Sequence, residues 1–206
     1  MLYATQLRLG LKDLASHKIT DAYSIHRLVY SLFEDYRSEK EKNSSNRSGF
    51  VFTEIKQRDL FREFLIISDR KPQEDIFTNS TLVTKIIPES FLQAERYHFS
   101  VVINPTKRDR SNGNLVAIRG RDTIAEWFKS KSEKNWGFQV NKIIVEETKV
   151  LKFRGKANRE ILISQALLSG SLTVTDRAAF IKAFSHGIGR GHAFGCGLLQ
   201  IIPIFN

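Results

Sequence analysis

The pattern of apolar and polar positions along this chain changes period several times, and each change marks an element. Leu2–Gly10 mixes Leu2, Ala4, Leu7 and Leu9 with polar neighbours and stops at Gly10, which predicts a strand. From Asp21 the period becomes helical. Ile25, Leu28, Val29, Leu32, Phe33 and Tyr36 recur at the i, i+3, i+4, i+7 spacing of a helix with one buried stripe. Thr20 or Asp21 can cap it, because a short oxygen-bearing side chain accepts from the free amides of the first turn. Residues 39–48, EKEKNSSNRS, have no period and read as a loop. Residues 50–56 and 64–68 read as the strands of a hairpin, 72–82 as a second helix and 83–88 as a short strand. The order β-α-β-β-α-β is the ferredoxin-like arrangement, shared with RNA-recognition-motif domains.

The second half repeats that order without repeating the sequence. Residues 96–104 form a strand, followed by the basic turn NPTKRDRSNGN. A helix is expected over 122–132, with Ile124, Trp127 and Phe128 on one side. Long strands at 139–153 and 161–174 are joined by 154–160. A helix over 176–186, capped by Thr175 or Asp176, ends at Gly187, and a strand over 198–204 closes the chain. The fold class is therefore α+β, with two tandem ferredoxin-like domains, 1–90 and 91–206, and a boundary near 88–96.

Composition narrows the setting. The chain has 206 residues, enough for one large domain or two small ones, and no apolar run approaches the length that spans a bilayer. Its N-terminus, MLYATQLRLGLKDL, lacks the cationic flank and cleavage site of a signal peptide. The single cysteine, Cys196, excludes an intrachain disulfide and is expected to be buried. These features point to the cytoplasm. Thirty-two Lys+Arg against 22 Asp+Glu give a net charge of +10, which concentrates polyanions. RNA, DNA and an anionic membrane all satisfy that field, nucleic acid foremost.

Three groups of residues carry candidate chemistry. Tyr23, His26 and Tyr30 form a strip beside the apolar stripe of the first helix, where a histidine meets solvent while Ile25, Val29 and Leu32 anchor the helix. Taken alone, such a strip is more often an ordinary helix boundary. The segment GIGRGHAFGCG places Gly187, Gly189, Gly191, Gly195 and Gly197 in eleven positions, with Arg190 and His192 among them. It follows a helix and precedes a strand, so it is neither a dinucleotide fingerprint nor a P-loop. Five glycines exceed what a crossover needs, and backbone amides there can approach an anion. Lys152, Arg154 and Lys156 recur every second residue, on one face of a strand, with Leu151 and Phe153 opposite and Arg159 across a turn. A cationic hairpin of this kind can contact duplex phosphates. Lys107 and Arg108 lead a second cluster with Arg110, Arg119 and Arg121; a solvated turn explains that one equally well. His17, His26, His98, His186 and His192 show no metal-ligand spacing, so no metal or other cofactor is expected.

Together these segments resemble the CasE-type CRISPR RNA-processing endoribonucleases of the RAMP superfamily. D-A-Y-S-I-H-R-L-V is similar to that family's Y-x-x-H-R segment, N-P-T-K-R at 104–108 to its N-P-x-K-R turn, and the segment from Gly187 onward to its closing G-x-G-x-x-x-x-x-G-x-G-L-L signature. Arg190, His192 and Val102 depart from the residues common there. The resemblance implies that His26 and Tyr23 are catalytic and that no metal takes part. It implies binding of a CRISPR repeat RNA stem-loop, a cut at its 3′ base, and partnership with Cascade-type subunits. A non-catalytic tandem RNA-binding module is the alternative.

Overall fold

The structure, a computed structural model, describes residues 1–34, 48–58, 60–73, 77, 81–155 and 158–205, with only the backbone at 56–58. The first sheet is built from β1 (Leu2–Gly10), β2 (Phe50–Arg58), β3 (Phe61–Ser68) and β4 (Thr81–Ile87) in the order β2-β3-β1-β4, all antiparallel. The second contains β5 (Arg96–Ile103), β8 (Phe138–Arg154), β9 (Glu160–Val174) and β10 (Gln200–Pro203) in the order β10-β5-β9-β8. Counted within its own half, each sheet has the same order. This is the tandem ferredoxin-like architecture expected from the element sequence. Between them, the turn after β5 folds into a small hairpin of β6 (Thr106–Arg108) and β7 (Leu115–Ala117).

Helices cover the sheets on one side. α1 (Leu11–Ser16), which the sequence pattern did not announce, follows β1 directly; α2 (Ala22–Ser31) follows it. α3 (Arg121–Lys131) and α4 (Arg177–His186) belong to the second half. The helix expected over 72–82 is corrected. Pro72, Gln73 and Phe77 are not helical, and Thr81 and Leu82 already belong to β4. The β-branched residues of T-L-V-T-K-I-I favour a strand, and the Gln73 amide donates to the Leu32 carbonyl at 2.7 Å, fastening that segment to the end of α2. Residues 74–76 and 78–80, Tyr36 and the loop at 39–47 lie outside the described residues.

Why β2 and β3 read as unbroken apolar runs, F-V-F and F-L-I-I, is clear from their packing. Phe50, Phe52, Phe64 and Ile66 face Ile25, Leu28, Val29 and Leu32 of α2, while Val51 and Ile67 belong to the core of the second half. Both faces of the first sheet are covered there, so alternation disappears. By contrast, β5 alternates strictly: Tyr97, Phe99, Val101 and Ile103 are buried, and His98, Ser100 and Val102 face the cleft between the sheets. The division proposed between residues 90 and 91 falls in a single 3-10 turn, Glu89–Leu92.

Candidate nucleic-acid interface and catalytic strip

α2 starts at a defined point. Asp21 accepts from the Ser24 amide at 2.8 Å, and the Ser24 hydroxyl accepts from the Asp21 amide at 2.9 Å, a reciprocal box that satisfies two end-of-helix donors. With Ile25, Leu28 and Val29 buried, the expected strip forms beside them. The Tyr23 ring stacks on His26 at 6.0 Å, Tyr30 lies 4.2 Å from His26, and Arg27 sits over Tyr23 at 5.6 Å. Tyr30 is itself held edge-on by Phe50 at 4.8 Å.

The fourth wall of the strip comes from the other end of the chain. Phe194, in the glycine-rich segment, lies 5.7 Å from His26 and 4.8 Å from Phe153. His26 is half-buried as a result. Burial pulls its pKa below the ordinary 6.5, opposed by the backbone at Ala193, and its Nδ1 is buried without a hydrogen-bond partner of normal geometry.

Several bonds pin the glycine-rich segment. The Thr53 hydroxyl donates to the Gly195 carbonyl at 3.1 Å, tying it to the first sheet. The buried Gln165 amide donates to the Phe194 carbonyl at 3.2 Å and to Cys196 Sγ at 3.3 Å. The Gly197 amide donates to Val102 at 2.7 Å, and Ile188 donates to Gly197 at 2.8 Å. Gly187, Gly189, Gly191, Gly195 and Gly197 all have φ between +74 and +91. Glycine is required most plainly at 197, where a Cβ would lie 2.5 Å from the Ile188 carbonyl and 2.6 Å from the His192 ring. Cys196 is buried as expected, and burial pushes its thiol up to about 11.

The expected basic groups occupy two places. β8 and β9 stay paired from Phe138↔Val174 to Arg154↔Glu160, whereas β5 accompanies β9 only as far as Ala166. The remainder projects as a two-stranded arm. Lys152 and Arg154 are exposed on it, while Phe153 is buried against Phe194. Lys152 makes an exposed ion pair with Glu160 at 2.9 Å, which holds it weakly, and Arg154 donates to Asn158 at 3.0 Å. Arg159 is exposed in the same turn; Lys156 lies outside the described residues. Lys107 and Arg108 are exposed on the β6–β7 hairpin. Arg121 differs from the expected cluster, because its guanidinium donates to the Val145 carbonyl at 2.5 Å. Arg190 is exposed, but the His192 ring turns into its own loop, with Nε2 3.3 Å from the Ile188 carbonyl.

Sequence reasoning missed Phe194, Gln165 and Lys149. Lys149 and Gln165 line the polar cleft between the sheets, across from Glu54 and Arg62, which form a bidentate pair at 2.7 and 2.8 Å. A glutamine inside the apolar run I-L-I-S-Q-A-L-L was the available signal. Among the described residues, no group of three or more His, Cys, Asp or Glu gathers in metal-binding geometry, and no helix is long and apolar enough to cross a membrane.

Two ferredoxin-like sheets, a histidine–tyrosine strip and a late glycine-rich loop that closes on it define the tandem RNA-recognition-motif-like class carrying this loop. A family model described as CRISPR associated protein matches residues 2–203. The chain belongs to that family. Among solved structures, it is similar to the CRISPR endoribonuclease Cse3 bound to 19 nt RNA, with a TM-score of 0.80 and 19% identity over 98% of this chain and 99% of that one. It is similar to Thermus thermophilus Cse3 bound to an RNA representing a pre-cleavage complex (TM-score 0.78, 17% identity, 98% and 99%). Another is the CRISPR-associated protein Cas6e from Escherichia coli str. K-12 (TM-score 0.72, 22% identity, 98% and 100%). A comparison with the curated proteins gave no match.

Proposed function

We propose that the chain is a metal-independent endoribonuclease that binds the stem-loop of a CRISPR repeat RNA, cuts at its 3′ base and stays with the product in a Cascade-type complex in the cytoplasm. The observation that carries this is the setting of His26. A neutral-leaning imidazole stands between two tyrosines, walled by Phe194, whose other side supports the cationic arm. The family membership and the RNA-bound relatives of like fold support the substrate.

Cleavage without a metal proceeds by attack of a ribose 2′-hydroxyl on its adjacent phosphate, leaving a 2′,3′-cyclic phosphate and a 5′-hydroxyl. It needs a proton acceptor, a donor to the leaving oxygen and positive charge near the phosphorane. His26 moves the proton; burial, which favours its neutral form, suits the acceptor role. Tyr23 orients the sugar-phosphate or shares the proton. Lys152, Arg154, Lys156 and Arg159 grip the stem, with Lys107, Arg108 and Arg190 contacting flanking phosphates. The five loop glycines let the backbone come close to the RNA, and His192 braces that loop.

An end-labelled repeat RNA incubated with the protein in EDTA tests this. One discrete product ending in a cyclic phosphate is expected, and His26→Ala should slow single-turnover cleavage about 10²–10⁴-fold with hairpin affinity nearly unchanged. A mobility shift with intact RNA supports the binding-module alternative. Equal cutting by the variant removes His26 from the chemistry.

A further inference from the structure

We propose a second RNA subsite on the other side of the glycine-rich loop: a cavity that takes one unpaired nucleotide, its base against Trp127 and its phosphate among Lys131, Lys182 and Arg190. It rests on the RNA-binding function proposed above and extends it from duplex to single strand.

The cavity measures about 510 Å³ and lies between the end of α3, the face of α4 and the start of the loop. That volume falls in the range of small-ligand pockets and suits one nucleotide, whereas a duplex is far too wide to enter. Lys131, Lys182 and Arg190 line it, all three exposed, with no carboxylate among the lining residues. None of the three pairs with a carboxylate among the described residues. Three like charges around one concavity repel each other unless an anion sits between them.

Two further observations make the occupant a nucleotide rather than a bare anion. Trp127 is half-buried in the wall and is braced edge-on by the buried Trp136 at 6.2 Å and 75°, which fixes an aromatic platform on which a splayed base can stack. Asn104 also lines the cavity, and its side-chain oxygen is buried with no hydrogen-bond partner. An amide so placed answers a base edge or a ribose 2′-hydroxyl, groups through which single-stranded RNA is read.

The loop supplies the connection to the strip. Gly187, Gly189 and Arg190 border the cavity, and a Cβ on Gly191 would lie 3.3 Å from Asn104; a few residues on, Phe194 touches His26. Strand leaving the cut site at the base of a stem is unpaired, and the loop lies between that site and the cavity.

The chain has two tryptophans, and both line this cavity, so their emission reports on it specifically. Titrating the full chain with a four-nucleotide single-stranded RNA should quench that emission saturably. Lys131→Ala/Lys182→Ala should weaken binding and flatten its salt dependence by about 0.7 in log-log slope for each phosphate no longer neutralised. Trp127→Ala should weaken it at least about fivefold, and Trp127→Phe, which keeps an aromatic face, should bind while losing most of the quench. No emission change at high RNA, or unchanged affinity in the lysine variant, overturns the proposal. Stem-loop cleavage by the unaltered chain, run in parallel, separates the two ideas. Cutting without quenching sinks only the cavity; quenching without cutting sinks only the nuclease.

Discussion

His26 has opposing demands placed on it. In the proposed reaction it must reach solvent-exposed RNA, yet Tyr23, Tyr30 and Phe194 crowd it, and the burial that lowers its pKa also holds its orientation. With the pKa below 6.5, the ring is neutral at pH 7, which is the competent form of an acceptor. As pH falls through that pKa, the ring gains a proton and loses the role. The single-turnover rate should therefore rise with pH below 6.5 and level off by neutrality. A rate that declines across that window would make His26 the donor instead. The tyrosine–histidine spacing was legible in sequence because a helix repeats locally. Phe194 was not, since nothing in a linear pattern reports a contact between an early helix and a loop so far along the chain. Lys182 escaped notice for the same reason, and Asn104 was read only as part of the N-P-T-K-R turn.

At the level of elements, strand and helix positions followed the apolar period closely; the six-residue α1 was too short to show a period, and the misassigned helix arose where two propensities competed. Residues 72–82 combine a proline start with β-branched residues, and the sheet took Thr81 and Leu82 because pairing with β1 buries backbone donors that a short exposed helix leaves to water. The arm's length was visible as two long apolar–polar runs, but its freedom from the third strand was not. Neutralising Lys152, Arg154 and Arg159 to alanine should weaken stem-loop binding and reduce its salt slope by about 0.9 for every phosphate released from a cation; an unchanged slope in a salt series would exclude the arm as the clamp. Within the same hairpin, Gly170 sits opposite Ile143 beside an irregularity in β8, and a Cβ there would lie 1.8 Å from the Lys142 carbonyl. Gly170→Ala should destabilise the chain by about 1–3 kcal/mol, read as a lower urea midpoint, because the strands must separate to admit the methyl.

Considered as a whole, the two sheets share one apolar interior. Val51 and Ile67 of the first are buried in the same cluster as Leu198, Leu199 and Phe184 of the second half. The tandem arrangement was readable from element order; the joint was not, though the unbroken apolar runs of β2 and β3 were its trace. Thr53 is the polar rivet in this joint, 1% exposed, with its hydroxyl on the Gly195 carbonyl. Thr53→Val should cost about 1 kcal/mol in urea unfolding and lower the cleavage rate more than it lowers stem-loop affinity. A rate equal to wild type would mean that loop placement tolerates loss of the bond.

Because Phe194 is made long after His26, a polypeptide emerging from the ribosome carries its histidine well before the wall opposite it exists. For the proposed nuclease, nascent copies would thus be unable to cut until the glycine-rich stretch has been synthesised and has swung back across the first sheet. Any lesion that frees this stretch would disarm the molecule while leaving its histidine-bearing helix intact.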